Sequence, residues 1–505
     1  MQAQEALTTL QGKGFLVTPG AAKLILESQN PAELVTIIEA NCNQKWFVEP
    51  RDLLPKEEAK LAQVVERADV VVEHTDFKPL AKEYDSQVRV LMNVDHEESA
   101  STGTLEDFVD YFKNRYEDIS LLLRGRGENS IVPINELARR RGQSVAVIGM
   151  VNDKRQTKNG HLLVEVEDPT GKLTALVMKT NEALIKSASW LVNDEVVLLD
   201  GKLSKDLFII NKITEPDVPL REMKTTEDRV CFAFLSDIHV GSKLFMRKNF
   251  EYLIEWLHGK HGNERERELA GRIKYISLAG DLCDGIGVYP SQENELEITD
   301  IYKQYEALEN YIIQFPDYIH VVVAPGDHDA VKHADPQPKL PKELVPNLYG
   351  RDNVSIVSSP AMVELHGLKE LVYHGTSYID FMSTIPGVSA EHGGLIMKEM
   401  LKKRHIHPIY GGKPITPEKK DSLVMREVPD IFHTGESHCF ASDFYRGTYL
   451  VNGGTWQDLT DYIVMQGFKA TPCILPVFDA HRGKATAIHF DGVVQSSKLL
   501  TAGGG

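Results

Sequence analysis

Apolar residues recur at three- and four-residue spacings through the first part of the chain. Ala21, Leu24, Ile25 and Leu26 lead to Leu34, Ile37 and Ile38, and Lys56 to Val72 keeps the rhythm. That spacing lines one face of a helix, so it predicts a small helical domain over 1–72, with Thr18-Pro19 placing proline in a first turn. The pattern then breaks. DHEESASTGTLED at 95–107 is acidic and rich in Ser and Thr, the composition of a solvated linker. A helix is expected to resume from Leu105 to Leu123, where Phe108, Tyr111, Phe112 and Tyr116 fall near one face and read as packing. Residues 73–128 are therefore a linker carrying a helical segment.

Over 129–225 the period shortens to two. Val145, Val147 and Ile148 form a β-branched run, and Val164 and Val166 alternate with Glu165 and Glu167. Turn signals follow at 158–160, 168–171, 193–194 and 200–201, with a helical patch from Asn181 to Leu191. Short strands with one helix after the third make an OB-type β-barrel. Such barrels often bind single strands through aromatic stacking and basic grooves. Phe208 and Trp190 are the few aromatics here and acids are plentiful, so docking to protein is the favoured role. From 226 to 495, apolar runs alternate with polar loops and helices, which is α/β architecture, and Ser496–Gly505 reads as a disordered tail.

Length and composition fit that division. A chain of 505 residues exceeds one ordinary core, and 42% hydrophobic with 26% charged residues is globular usage. The apolar runs are strand-sized, short of the roughly 18–20 residues that cross a bilayer. The N-terminus also lacks a cationic stretch followed by an apolar one, so a cytoplasmic protein without a membrane segment is expected. Cysteines at 42, 231, 283, 439 and 473 form no CxxC pair, which predicts reduced, mostly buried thiols and no zinc ribbon. A net charge of −17 repels phosphate, so binding DNA would require a local basic patch or a partner subunit.

The chemistry lies where the later strands are expected to end. Val230–Leu235 leads into Ser236-Asp237-Ile238-His239, and Tyr275–Leu278 into Gly280-Asp281-Leu282-Cys283-Asp284. His320–Val323 leads into Gly326-Asp327-His328-Asp329, Glu370–Tyr373 into His374-Gly375, and Ile431–His433 into Gly435-Glu436-Ser437-His438. One Asp-x-His or Gly-Asp is a weak signal, but five such loops in succession are hard to assign to structure alone. Carboxylate oxygen and imidazole nitrogen suit manganese, iron or zinc, and two ions about 3.5–4 Å apart can clamp a phosphodiester for in-line attack. His405 and His407, in LKKRHIHPIYGG, read instead as a basic loop that contacts a partner or a DNA backbone.

The order Asp-x-His, Gly-Asp-x-x-Asp, Gly-Asn-His-(Asp/Glu), His, Gly-His-x-His resembles the calcineurin-like metallophosphoesterases. A preceding OB barrel narrows the resemblance to the B-subunits of replicative DNA polymerases. The segments IGMVNDKRQTKNGHLLVEVEDPTG and FLSDIHVGSKLF are similar to the archaeal family D small subunit, which keeps the ligands that its eukaryotic counterparts have lost. The likeness runs over roughly 105–495, and the N-terminal helical module fits more loosely. It implies a multidomain fold of helical module, OB-type barrel and α/β phosphoesterase domain over 226–495. It also implies a two-metal 3′–5′ exonuclease acting on single-stranded DNA 3′ ends. The ions would be two divalent cations, Mn²⁺ first, with Fe, Zn or Mg as alternatives. No polymerase motif is present, so synthesis would belong to a large catalytic partner subunit, with the sliding clamp a further candidate contact.

Carried over by motif, Asp237, His239, Asp281 and His438 would hold the first ion, and Asp281, Asp327, His374 and Glu436 the second, with Asp281 shared. His328 would be the acid at the leaving group, and Asp284 and Asp329 would orient ligands. Two positions depart from the family: Asp327 replaces an Asn and Glu436 replaces the first His of Gly-His-x-His. Both fall on the second ion and make its site about two charges more negative. An altered metal preference, a slowed nuclease and an inactive site retained for structure all stay open. The competing readings are accordingly a proofreading nuclease, an assembly subunit with a weakened site, and a free-standing small-molecule phosphoesterase for which the barrel has no purpose.

Overall fold

The computed structural model describes residues 77–94, 101–460 and 469–491, with isolated positions between 9 and 48. The chain divides into two compact units, Met1–Thr75 and Asp76–Gly505. In the first, Leu16–Val17 (β1) and Phe47–Val48 (β2) pair as parallel strands, and Ile25 and Val35 are buried at helical positions. Most of the expected helical domain, and the expected tail at 496–505, lie outside the described residues.

The second unit opens with Val88–Met92 (β3), which pairs antiparallel with a strand of the α/β body. The linker expected here missed this strand because Val88, Val90 and Met92 give too short an alternation to register without its partner. Helix Leu105–Leu123 (α1) follows, closed at its start by a reciprocal capping box between Thr104 and Asp107. The expected aromatic stripe does pack: Tyr111 is buried, and Phe108 and Phe112 meet Tyr410 edge-on. Then come Ser144–Gln156 (β4), Leu162–Asp168 (β5), Gly171–Val177 (β6), Val196–Ser204 (β7) and Leu207–Thr214 (β8). They close into a barrel in the order β4-β5-β6-β8-β7, with helix Glu182–Ser189 (α2) after the third strand. Val164 and Val166 point into its core while their glutamate neighbours do not, as the alternation requires.

The remainder is two facing six-stranded sheets. Cys231–Leu235 (β9), Ile273–Ala279 (β10), His320–Ala324 (β11) and Val354–Ile356 (β12) run parallel in the first. Ala361–Leu365 (β13), Leu368–Val372 (β14), Ile431–Thr434 (β15), Ala441–Tyr445 (β16) and Thr448–Asn452 (β17) join β3 in the second. Ile474–Asp479 (β18) and Lys484–His489 (β19) return to complete the first sheet, in the order β12-β11-β10-β9-β18-β19. Phe232, Phe234, Tyr275 and Val322 of the first sheet pack on Val363, Val372, Ile431 and Tyr449 of the second. The outer face of the first sheet is covered by helices Arg247–Leu257 and Ile301–Ile313, and that of the second by Tyr378–Thr384 and Gly393–Lys403. Every residue of β9, β10 and β11 is buried, the consequence of strands covered on both faces and the reason they read as unbroken apolar runs.

The four described cysteines are free and buried, and Cys42 lies outside the described residues. No helix among the described residues is long and apolar enough to cross a membrane. His320, at the head of β11, is 5% exposed and bonds Ser355 Oγ through Nε2 at 2.9 Å. Burial, helped by Lys274, pushes its imidazole down to about 4. The unfolded chain therefore takes up a proton near the ordinary value of about 6.5 that the folded chain refuses until about 4, so stability falls as pH falls through that window. Chemical unfolding at pH 7 and pH 4.5 is expected to show a loss of about 2–3 kcal/mol from this residue, which His320→Gln abolishes.

Candidate metal centre

The chemistry-bearing loops follow the C-terminal ends of β9, β10, β11, β14 and β15, the end of a parallel sheet at which ligands commonly bind. Backbone bonds lace neighbouring loops together within each sheet. Asp237 N–H donates to the Gly280 carbonyl at 3.0 Å, His239 N–H to Asp281 at 3.0 Å, and Gly435 N–H to His374 at 2.6 Å. Close approach also needs missing side chains: a Cβ on Gly326 would lie 2.2 Å from Asp281 Oδ1. Asp237, His239, Asp281, Glu436 and His438 all have positive φ, between 50° and 68°, a conformation that costs free energy in each non-glycine residue and concentrates where function demands it.

Two separate donor sets result. Asp237, His239 and His438 form one, and Asp281, Asp327, His374 and Glu436 the other; a third grouping, His239 with Asp284 and His328, overlaps the first. In the first, the Nε2 atoms of His239 and His438 stand 3.2 Å apart, with Asp237 Oδ1 3.4 Å from His438 Nε2 and Asp281 Oδ2 3.7 Å from His239 Nε2. His239 Nδ1 bonds Asp284 Oδ1 at 3.0 Å, which fixes the ring and leaves Nε2 to face the set. Asp284 is itself held by Gln292 and Gln457, each at 3.1 Å.

In the second set, His374 Nδ1 donates to the Ala279 carbonyl at 2.8 Å. Its Nε2, fully buried and without a hydrogen-bond partner, faces Glu436 Oε2 at 3.0 Å, Asp281 Oδ1 at 3.2 Å and Asp327 Oδ1 at 3.6 Å. Three carboxylates converging on one imidazole nitrogen make a place for a cation, so this donor set fits a divalent ion. Burial opposes charge on His374, but Asp281 and its fellow carboxylates hold the ring well above the usual imidazole range. Burial and the neighbouring Asp327 push Glu436 up, while His374 and Lys413 hold Asp327 below the carboxylate range against burial.

His328 stands beside both sets. Its backbone N–H donates to Asp281 Oδ1 at 3.0 Å, its Nδ1 to the Asp284 carbonyl at 2.8 Å, and its ring lies 4.8 Å from that of His239. Burial works against its charge, yet Asp281, Asp327 and Asp284 together push it up to about 9. Asp329 does not enter either set. It accepts from Gly326 N, Leu282 N, Cys283 N and Tyr305 Oη at 2.9–3.3 Å, and so pins two of the loops.

His405 and His407 correct an expectation. Both are fully buried, where a basic surface loop was expected. His405 Nε2 bonds Asp421 at 2.8 Å, and His407 bonds Asp335 at 2.7 Å and Asp380 at 3.2 Å. Their carboxylate partners come from distant segments, and local composition cannot register them.

The sequence reading missed Lys413. Its Nζ donates to Asp327 Oδ2 at 2.9 Å and lies 4.0 Å from Glu436 Oε1, so it touches both residues that depart from the family. Charge arithmetic was the available signal, since two added carboxylates in a buried site call for a cation.

Residues 232–442 match the family model that describes the B-subunits of DNA polymerases alpha and epsilon. The chain is 36% identical over 487 residues to the DNA polymerase II small subunit of Methanothermobacter thermautotrophicus, spanning 95% of this chain and 98% of that one. It is 39% identical over 408 residues to the DNA polymerase II small subunit of Methanocaldococcus jannaschii, spanning 80% and 68%. A solved structure described as a novel archaeal phosphodiesterase aligns with 51% of this chain and 99% of its own, at 13% identity and a TM-score of 0.25. On the identity and coverage it shares with these small subunits, the chain belongs to the archaeal DNA polymerase II, or family D, small-subunit family.

Proposed function

We propose that this chain pairs with a large catalytic polymerase subunit and hydrolyses phosphodiester bonds at DNA 3′ ends, proofreading for that partner. One observation carries the nuclease part: the two oxygens of Asp281 face different donor sets, Oδ2 toward His239 and Oδ1 toward His374. A carboxylate shared between two ions needs that arrangement. The barrel order with its intervening helix supports an OB-type domain, and the facing sheets with ligands at strand ends support a calcineurin-like phosphoesterase domain.

Asp237, His239, Asp281 and His438 would hold one ion, and Asp281, Asp327, His374 and Glu436 the other. Bound there, divalent ions, Mn²⁺ foremost for this mixed oxygen and nitrogen set, would supply Lewis acidity at the phosphoryl oxygens and an activated water. Asp284 and Asp329 keep the donor loops in place. His328, with Nδ1 committed to a carbonyl, has Nε2 free to donate a proton to the leaving oxygen.

The test is Mn²⁺-dependent release of nucleotides from a single-stranded 3′ end, with and without the large subunit, because a net charge of −17 leaves the DNA-attracting field to be supplied locally or by that partner. His239→Ala and His328→Ala are each expected to slow release by about 10²-fold or more. Undiminished release in both variants would sink the mechanism. Asp327 and Glu436 favour a second reading, an assembly subunit with a weakened site. Metal content separates the two: fewer than two ions per purified chain points to assembly.

A further inference from the structure

The segment that carries Lys413 is braced from within. Asp380 accepts the Lys413 backbone N–H at 3.1 and 3.2 Å through its two oxygens. A Cβ on the preceding Gly412 would lie 2.0 Å from Asp380 Oδ1, so only glycine lets the backbone come this close. Asp380 is bonded by His407 Nε2 at 3.2 Å, and His407 Nδ1 bonds Asp335 at 2.7 Å. Asp335 in turn accepts from Tyr373 Oη at 2.8 Å, and Tyr373 adjoins His374. A continuous buried chain of bonds therefore runs from the strand end bearing His374 to the loop bearing Lys413.

Each acidic departure divides its oxygens. Asp327 turns Oδ1 toward His374 Nε2 and Oδ2 toward Lys413, and Glu436 turns Oε2 toward His374 and Oε1 toward Lys413. Lys413 thus lies on the outer side of both carboxylates rather than between them and His374. Its side chain remains 30% exposed. Two neutral ligands became anions, and one ammonium now covers both.

We infer that Lys413 is the counter-cation of the second metal position, where it offsets the Asp327 and Glu436 charges and contacts a substrate phosphate entering beside them. The inference rests on the metal reading above. An ammonium this close weakens the pull of the carboxylates on a divalent ion and adds a phosphate donor on the solvent side. It offsets one of the two charges added by the acidic departures, and so lessens the repulsion that a carboxylate-rich site exerts on the phosphate it must bind.

The test is Mn²⁺ titration by calorimetry on the full chain, followed by inorganic phosphate binding to the Mn²⁺-loaded protein. Lys413→Met is expected to tighten the second Mn²⁺ on the order of tenfold and to weaken phosphate by a similar factor, with Lys413→Arg close to wild type. In the Asp327→Asn/Glu436→His background the effect of Lys413→Met on the second ion should largely vanish. Lys413→Gln gives the same readings should the Met variant fold poorly. An unchanged or weakened second Mn²⁺, or unchanged phosphate binding, overturns the inference while leaving the metal reading intact. A wild-type chain that binds no Mn²⁺ overturns both.

Discussion

Asp281→Ala is expected to strip metal from both positions at once and to lower DNA hydrolysis by about 10³-fold or more. Its carboxylate turns one oxygen toward each donor set. Burial opposes its ionisation, but His374, His328 and His239 hold it well below the usual carboxylate range, so it stays ionised and its one negative charge is shared between the two sets. It also accepts the His328 backbone N–H, so its loss frees the loop bearing the proposed acid. Asp237→Ala, by contrast, removes a donor from the first set and only the acceptor of the Glu436 backbone N–H from the second, and should cost chiefly one ion. Metal content by mass spectrometry, read beside the nuclease rate, checks the pair. An Asp281→Ala chain that keeps two ions would refute the shared-carboxylate geometry.

Arg115→Met is expected to destabilise the second unit by about 3–5 kcal/mol, read by urea unfolding. Arg115 and Asp421 are both fully buried, with Nε 2.7 Å from the carboxylate. The guanidinium also donates to the Pro408 carbonyl at 2.6 Å and the Asp194 carbonyl at 3.2 Å. Removing it leaves an anion and two carbonyls without their strongest donor in a dry site, which costs far more than an exposed ion pair contributes. Arg115 reaches from α1 to the loop before β7 and to the segment that carries His405 and His407. Arg115→Met/Asp421→Leu should recover only a small part of the loss, because the buried anion goes but His405 Nε2 and the Leu423 N–H lose their acceptor. Equal stabilities for wild type and Arg115→Met would show that the junction is held by its apolar contacts alone.

The strands of the α/β body were legible because burial on both faces produces unbroken runs such as Val321–Val323, which need no knowledge of a partner. Strand β3 was not legible, because pairing with β13 rather than its own composition makes it a strand. The same distinction holds at the site. Glycine-flanked Asp and His at strand ends show in a linear string, since local backbone geometry requires them there. Lys413 and Arg115 do not, because each is defined by carboxylates from distant segments, Asp327 and Asp421.

Sequence alone thus determined the kinds of donor present, their order, and the two acidic departures in the second donor set. It also determined the elements whose periodicity is fixed by burial. Tertiary structure alone decided that Asp281 turns one oxygen to each donor set, that His405 and His407 are interior braces, and that one ammonium faces both acidic replacements. The physical reason is range. Hydrophobic period and backbone conformation are local and repeat along the chain, whereas a buried charge is fixed by whichever partner the fold brings within about 3–4 Å, and that partner's position in the sequence carries no local signature.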